Sequence, residues 1–213
     1  MDPVFQHKQY LLKRQVLALT GTFRIYGPTG ELLLYSRQKM FRLKEDIRVF
    51  SDEASTHQVL QINARQVIDF SATYDVTDSS TGMVVGALQR RGWRSLARDE
   101  WHFFAPDGRV LGMLQEDSLN RALLRRFLLG SFLPLIYTLT AGDPAQTYNT
   151  AASNTLSPDG LSPNALGTLR QNFNLFRYET VLGLTGFSNQ IDPRLTIAAM
   201  ILLAAIEGRQ TSD

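Results

Sequence analysis

The stretch Asp192-Pro193-Arg194-Leu195-Thr196-Ile197-Ala198-Ala199-Met200-Ile201-Leu202-Leu203-Ala204-Ala205-Ile206 decides the fold of this chain. Asp192 followed by Pro193 predicts a helix start, a capping carboxylate before a proline at the first helical position. From Leu195 to Ile206 every face of that helix is apolar apart from Thr196. A surface helix carries a polar stripe; a helix without one has to be covered all round. Ending at Gly208, a helix over 193–207 is about 22 Å long, short of the roughly 30 Å hydrocarbon core of a bilayer. Arg194 and Glu207 stand at the wrong ends for the helix dipole, a cost of about 0.3–1 kcal/mol each that burial must outweigh. A rod of this kind, frequent in alanine, fits down the middle of a barrel.

Working outward, residues 22–116 repeat one theme: a β-rich run, a turn cluster, a second β-rich run. Thr22-Phe23-Arg24-Ile25-Tyr26 meets Gly27-Pro28-Thr29-Gly30 and leaves through Leu32-Leu33-Leu34-Tyr35. Ile47-Arg48-Val49-Phe50 meets Ser51-Asp52-Glu53-Ala54-Ser55 before His57-Gln58-Val59-Leu60-Gln61-Ile62. Phe70-Ser71-Ala72-Thr73-Tyr74-Asp75-Val76 meets Asp78-Ser79-Ser80-Thr81-Gly82, and Glu100-Trp101-His102-Phe103-Phe104 meets Ala105-Pro106-Asp107-Gly108. Turn clusters of this composition reverse the chain as hairpins demand, and their regular recurrence predicts a meander that closes on itself.

Beyond Asp117 the period changes. Leu119, Ala122, Leu123 and Phe127 predict a short helix, ended by Gly130 and Pro134. Leu135-Ile136-Tyr137-Thr138-Leu139 then predicts a strand, residues 141–167 a long surface loop inside a hairpin, and 168–176 and 177–184 the last strands. The whole of 1–213 forms one domain: mainly β, a closed antiparallel β-barrel around a central apolar C-terminal α-helix.

Composition narrows the function classes. The chain has 213 residues, 44% of them hydrophobic, enough for a sizeable core. Lys plus Arg number 22 and Asp plus Glu 20, a net charge of +2 that is no nucleic-acid-grade density. With no cysteine, disulfides, thiol nucleophiles, Cys-type metal sites and thioester-linked lipid anchors are excluded. Met1-Asp2-Pro3-Val4-Phe5-Gln6 has no basic-then-apolar leader pattern and no glycine after the initiator. The longest apolar runs, 127–139 and 195–206, are too short to span a bilayer. These readings predict a cytoplasmic protein with no transmembrane segment, at most peripheral to a membrane.

The hairpin series from Phe23-Arg24-Ile25-Tyr26-Gly27-Pro28-Thr29-Gly30 to Arg109-Val110-Leu111-Gly112, followed by Ile191-Asp192-Pro193-Arg194-Leu195 and the apolar helix, resembles the tubby C-terminal-like superfamily, in its phospholipid scramblase and LURP-one-related branch. The resemblance covers nearly the whole chain and rests on diffuse structural motifs. It implies about twelve strands around the helix, and a non-enzymatic, scramblase-like or tubby-like domain with a lipid connection. The chain departs from the scramblases in having no Pro-rich arm and no cysteine cluster, and 184–192 holds one carboxylate where they carry an acidic calcium-binding segment. These departures argue against lipid scrambling.

Candidate chemistry is sparse. His7, His57 and His102 share no metal-ligand spacing. No G-x-S-x-G elbow occurs, and Gly27-Pro28-Thr29-Gly30 lacks the lysine and the strand–helix context of a phosphate loop. Asp75 and Asp78 read as turn formers rather than as a paired acid site. No catalytic residue, metal or cofactor is expected. Two basic groups remain. Gln89-Arg90-Arg91-Gly92-Trp93-Arg94 combines three guanidiniums, which pair with phosphate bidentately, and a Trp, which favours headgroup depth. Arg121, Arg125 and Arg126 decorate the helix after Asp117. Against this stands the plainer reading, in which Trp93 and the apolar stripe pack on the barrel and the arginines are solvated.

The expected function is therefore a module recognising anionic phospholipid headgroups through Arg90, Arg91, Trp93, Arg94, Arg121, Arg125 and Arg126. The alternative is a protein-binding adaptor or structural protein without a lipid role, acting through the 141–167 loop. An enzyme or carrier with a pocket at the barrel mouth ranks third, because a central helix leaves little room. Nucleic acid is an unexpected partner, since neither basic group carries an aromatic ladder.

Overall fold

The computed structural model describes residues 1–15, 20–39, 46–66, 72–91, 99–116, 135–143, 165–174, 177–186 and 189–210. Twelve strands run in sequence: β1 (Gln9–Gln15), β2 (Thr20–Tyr26), β3 (Leu32–Lys39), β4 (Ile47–Phe50), β5 (Gln58–Gln66), β6 (Thr73–Asp78), β7 (Val84–Arg91), β8 (Glu100–Phe104), β9 (Val110–Glu116), β10 (Leu135–Ala141), β11 (Ala165–Asn174) and β12 (Arg177–Leu184). Each pairs antiparallel with its neighbours in sequence, and β1 pairs with β12, from Gln9 opposite Gly183 to Gln15 opposite Arg177, so the sheet closes. The expected barrel is the observed one.

The helix α1 (Pro193–Gln210) occupies the centre. Leu195 and the run from Ile197 to Ala204 are buried, and the hydroxyl of Thr196, the one polar interruption, donates to the Pro193 carbonyl at 2.7 Å. Around the rod stand Leu12, Ile25, Leu34, Leu60, Leu88 and Phe103, each on the inward face of its strand. Gly208 does not end the helix, which continues to Gln210. One glycine inside a helix costs only about 1 kcal/mol, which continued backbone hydrogen bonding offsets.

Three of the four turn clusters reverse through a glycine at positive φ: Gly30 at 86°, Gly82 at 69° and Gly108 at 86°. The second has no glycine, and Ser55 takes the left-handed conformation at φ 58°. Its turn is held by Asp52, whose carboxylate accepts from the backbone N–H of Thr56 and His57 at 3.2 and 3.0 Å. Those bonds hold the Asp52 carboxyl below its ordinary pKa.

Strand β1 escapes the sequence reading because its pattern is inverted at both ends. Tyr10, Leu12 and Arg14 are buried, Leu11 faces outward and is half-buried, and Lys13 is exposed. The predicted 141–167 loop is trimmed by strands: β10 runs to Ala141 and β11 begins at Ala165. Residues 144–164, and the helix expected after Asp117, lie outside the described residues.

Candidate functional site

The barrel has two chemically different ends. At the end where α1 begins, Asp192 caps the helix, its carboxylate accepting from the Arg194 N–H at 2.9 Å. The Arg194 guanidinium folds back onto the same carboxylate at 2.9 and 2.6 Å and also binds Asp78, the last residue of β6. The bonds to Asp192, despite burial, raise the Arg194 pKa above its ordinary value. Asp78 is lowered although burial opposes it, through hydrogen bonds from Ser80 and Thr81 and the charge of Arg194. The carboxylates Asp75 and Asp78 therefore have separate partners, because Asp75 pairs with Arg65 on β5 at 2.6 Å.

The opposite end carries Arg90 and Arg91, the two residues of the predicted basic site that the structure describes. Arg91 ends β7 directly across from Glu100 on β8. Glu100 in turn stands across from Gln115 on β9, and Glu116 across from Tyr137 on β10. The strand ends that bracket 92–98 and 117–134 are thus neighbours at one end of the barrel. Trp93, Arg94, Arg121, Arg125 and Arg126 themselves lie outside the described residues.

Register separates the two adjacent arginines. Arg90 stands opposite the buried Trp101, on the inward face, and its Nε donates to Asp99 at 2.9 Å. Asp99 also accepts from the Tyr137 hydroxyl at 3.5 Å, and its carbonyl takes the N–H of Glu116 at 3.1 Å. Arg90 is therefore a strut of the barrel mouth. Arg91 points outward, is exposed, and makes no ion pair among the described residues. Of the two, Arg91 is the one open to a ligand.

Polar groups that the sequence reading missed line the inside of this end. Arg14 is buried, donates to the Ala204 carbonyl of α1 at 3.2 Å, and stacks over the Tyr178 ring at 6.0 Å. Burial lowers its pKa. The Trp101 Nε1 and the Thr180 hydroxyl are buried without hydrogen-bond partners among the described residues. The signal for Arg14 was a charged residue continuing the every-second-residue face of Tyr10 and Leu12, legible only once β1 is known to be a strand.

The histidines are structural neighbours rather than a cluster. His7 meets Tyr10 edge-on at 5.9 Å, and His102 pairs with Glu100, which also accepts from Gln115 at 3.2 Å. Among the described residues no three His, Cys, Asp or Glu side chains are grouped to hold a metal ion, and no helix is long and apolar enough to cross a membrane. No family model, no curated protein and no solved structure matches the chain.

Proposed function

We propose that this protein is a non-enzymatic peripheral module that recognises anionic phospholipid headgroups with the basic end of its barrel. The observation carrying this reading is that β7, β8, β9 and β10 are consecutive neighbours, so the segments bearing Arg91, Trp93 and Arg94 and bearing Arg121, Arg125 and Arg126 start and finish at the same end. Arg91 is exposed there, across from Glu100, and makes no ion pair among the described residues. A cation near an anionic membrane contributes about 1 kcal/mol, so several must act together. The helix filling the barrel centre supports a role in binding rather than catalysis, since it occupies the space where a substrate cavity would lie.

Co-sedimentation with phosphatidylcholine vesicles, with and without phosphatidylserine, tests the proposal. Binding is expected only with phosphatidylserine, weakening as salt rises, and falling several-fold in Arg91→Ala/Arg94→Ala. Equal binding to both vesicle types, or indifference to the double substitution, rejects it.

A further inference from the structure

The chain carries a net charge of only +2, yet its outer surface is divided. Among the described side chains, the outward faces of β11, β12 and β1 to β4 carry Lys13, Arg24, Arg37, Arg48 and Arg170, against the single carboxylate Glu179. On the outward faces of β5 to β10, Arg65 and Arg91 are matched by Asp75 and Glu100.

Four of the cations form a string with one member per strand. Lys13 on β1 is directly opposite Arg24 on β2. Arg24 is opposite Tyr35 on β3, two residues before Arg37. Continuing the pairing of Ser36 with Val49 by one residue sets Arg37 beside Arg48 on β4. Strand spacing and diagonal offsets make the steps about 5, 7 and 5 Å. Like charges directly opposite one another on a sheet disfavour the fold. Glu53 and Asp46 relieve Arg24 and Arg48 in part, each at 2.6 Å. Lys13 and Arg37 are exposed and have no ion pair among the described residues, and the register sets Glu179 of β12 opposite Lys13 on its other side, so Arg37 is the cation of the string with no carboxylate paired or set across from it among the described residues. Lys13 lies over the Tyr26 ring at 5.5 Å and Arg24 over Tyr35 at 5.8 Å, so these two are held flat on the surface rather than extended.

We infer that this flank is a docking surface for an acidic, extended peptide segment of another protein, lying crosswise over β1 to β4. Three features choose that occupant. The string runs around the convex barrel, across the strands, whereas a flat membrane touches a cylinder along a line parallel to its axis. The faces of Tyr26 and Tyr35 are covered by their cations, which removes the open stacking platforms that single-stranded nucleic acid uses. A flexible acidic chain follows the curve, and its same-face side chains recur about every 6.7 Å, between the short and long steps of the string.

Fluorescence anisotropy with the full chain tests this, using labelled peptides of alternating Glu and Ser and of alternating Gln and Ser, a thymidine oligonucleotide, and phosphatidylserine vesicles as competitor. The Glu/Ser peptide is expected to bind, the Gln/Ser peptide not, and Lys13→Glu/Arg37→Glu to bind about tenfold more weakly. A Lys/Ser peptide is expected to gain affinity for that variant. Arg91→Glu/Arg109→Glu, with the same change in net charge, is expected to keep wild-type affinity for the Glu/Ser peptide. Both sites are exposed, and unchanged thermal melting of each variant verifies the fold. Equal affinity of the Glu/Ser and Gln/Ser peptides, an equal loss in the Arg91/Arg109 variant, or tighter binding of oligonucleotide or vesicles through Lys13 and Arg37 overturns the inference. Because Arg91 serves the lipid reading and not this one, the two can fail separately.

Discussion

A guanidinium in the first turn of a helix opposes the helix dipole, and Arg194 sits there between Asp192 and Asp78. The unfavourable placement that the sequence presents becomes a tie between the start of α1 and the end of β6, and Asp78 could not have been named as the partner before the strands were aligned. The same holds for Arg90: its composition reads as a ligand group, and the register turns it inward onto Asp99, whereas Arg91 keeps the exposure the sequence predicts. The folded-state pKa of Asp78 lies below its ordinary value because the hydrogen bonds from Ser80 and Thr81 and the Arg194 charge outweigh burial, so its ionised form stabilises the fold above about pH 3.9, and that contribution is lost as pH falls through the folded value. Asp78→Asn is expected to cost about 1–3 kcal/mol at neutral pH, since it strips one partner from a half-buried cation. Urea denaturation at neutral and acid pH checks this: the loss should shrink toward zero in acid, and an equal loss at both would contradict the charge-based account.

At the scale of the element, α1 was legible because burial on all faces leaves a compositional trace that needs no partner to interpret. Strand β1 was not, because Leu11 faces outward and Arg14 inward, so its alternation is masked by what the barrel interior does with a buried arginine. One residue of the sheet is dictated chiefly by its neighbouring strand, with the helix crowding it further. A Cβ on Gly86 of β7 would stand 2.3 Å from the Phe104 carbonyl and 3.1 Å from Leu195 of α1. Leu202, fully buried, is the complementary case. Leu202→Ala is expected to destabilise by about 2–5 kcal/mol, through lost transfer energy and a cavity that an encircling sheet closes poorly. Equilibrium denaturation gives the value; a loss near that of an exposed substitution would place α1 outside the core.

For the whole molecule, the number of hairpins and the covered rod predicted a closed barrel, and closure itself rests on the seam between β1 and β12. Removing residues 1–15 takes away Leu12 and Tyr10, whose hydroxyl bonds both Val4 and His7, and leaves β2 and β12 as open edges. Such a chain is expected to lose its cooperative thermal transition and to associate through those edges. Calorimetry and light scattering read both effects, and a monomer melting like the intact chain would show that the seam is dispensable. The charge division of the outer surface was not readable in advance, because Lys13, Arg24, Arg37 and Arg48 are spread over thirty-six positions of sequence and meet only through strand pairing.

The order of elements along the chain also constrains assembly. Every strand precedes α1, and the strands enclose it. A finished ring has no opening through which a greasy rod could slide without first shedding water along its whole length, so the sheet has to remain an open trough until the rod is laid in it. The rod and the final strand pairing then become a single event, and a chain caught before it would expose its whole inner lining to solvent.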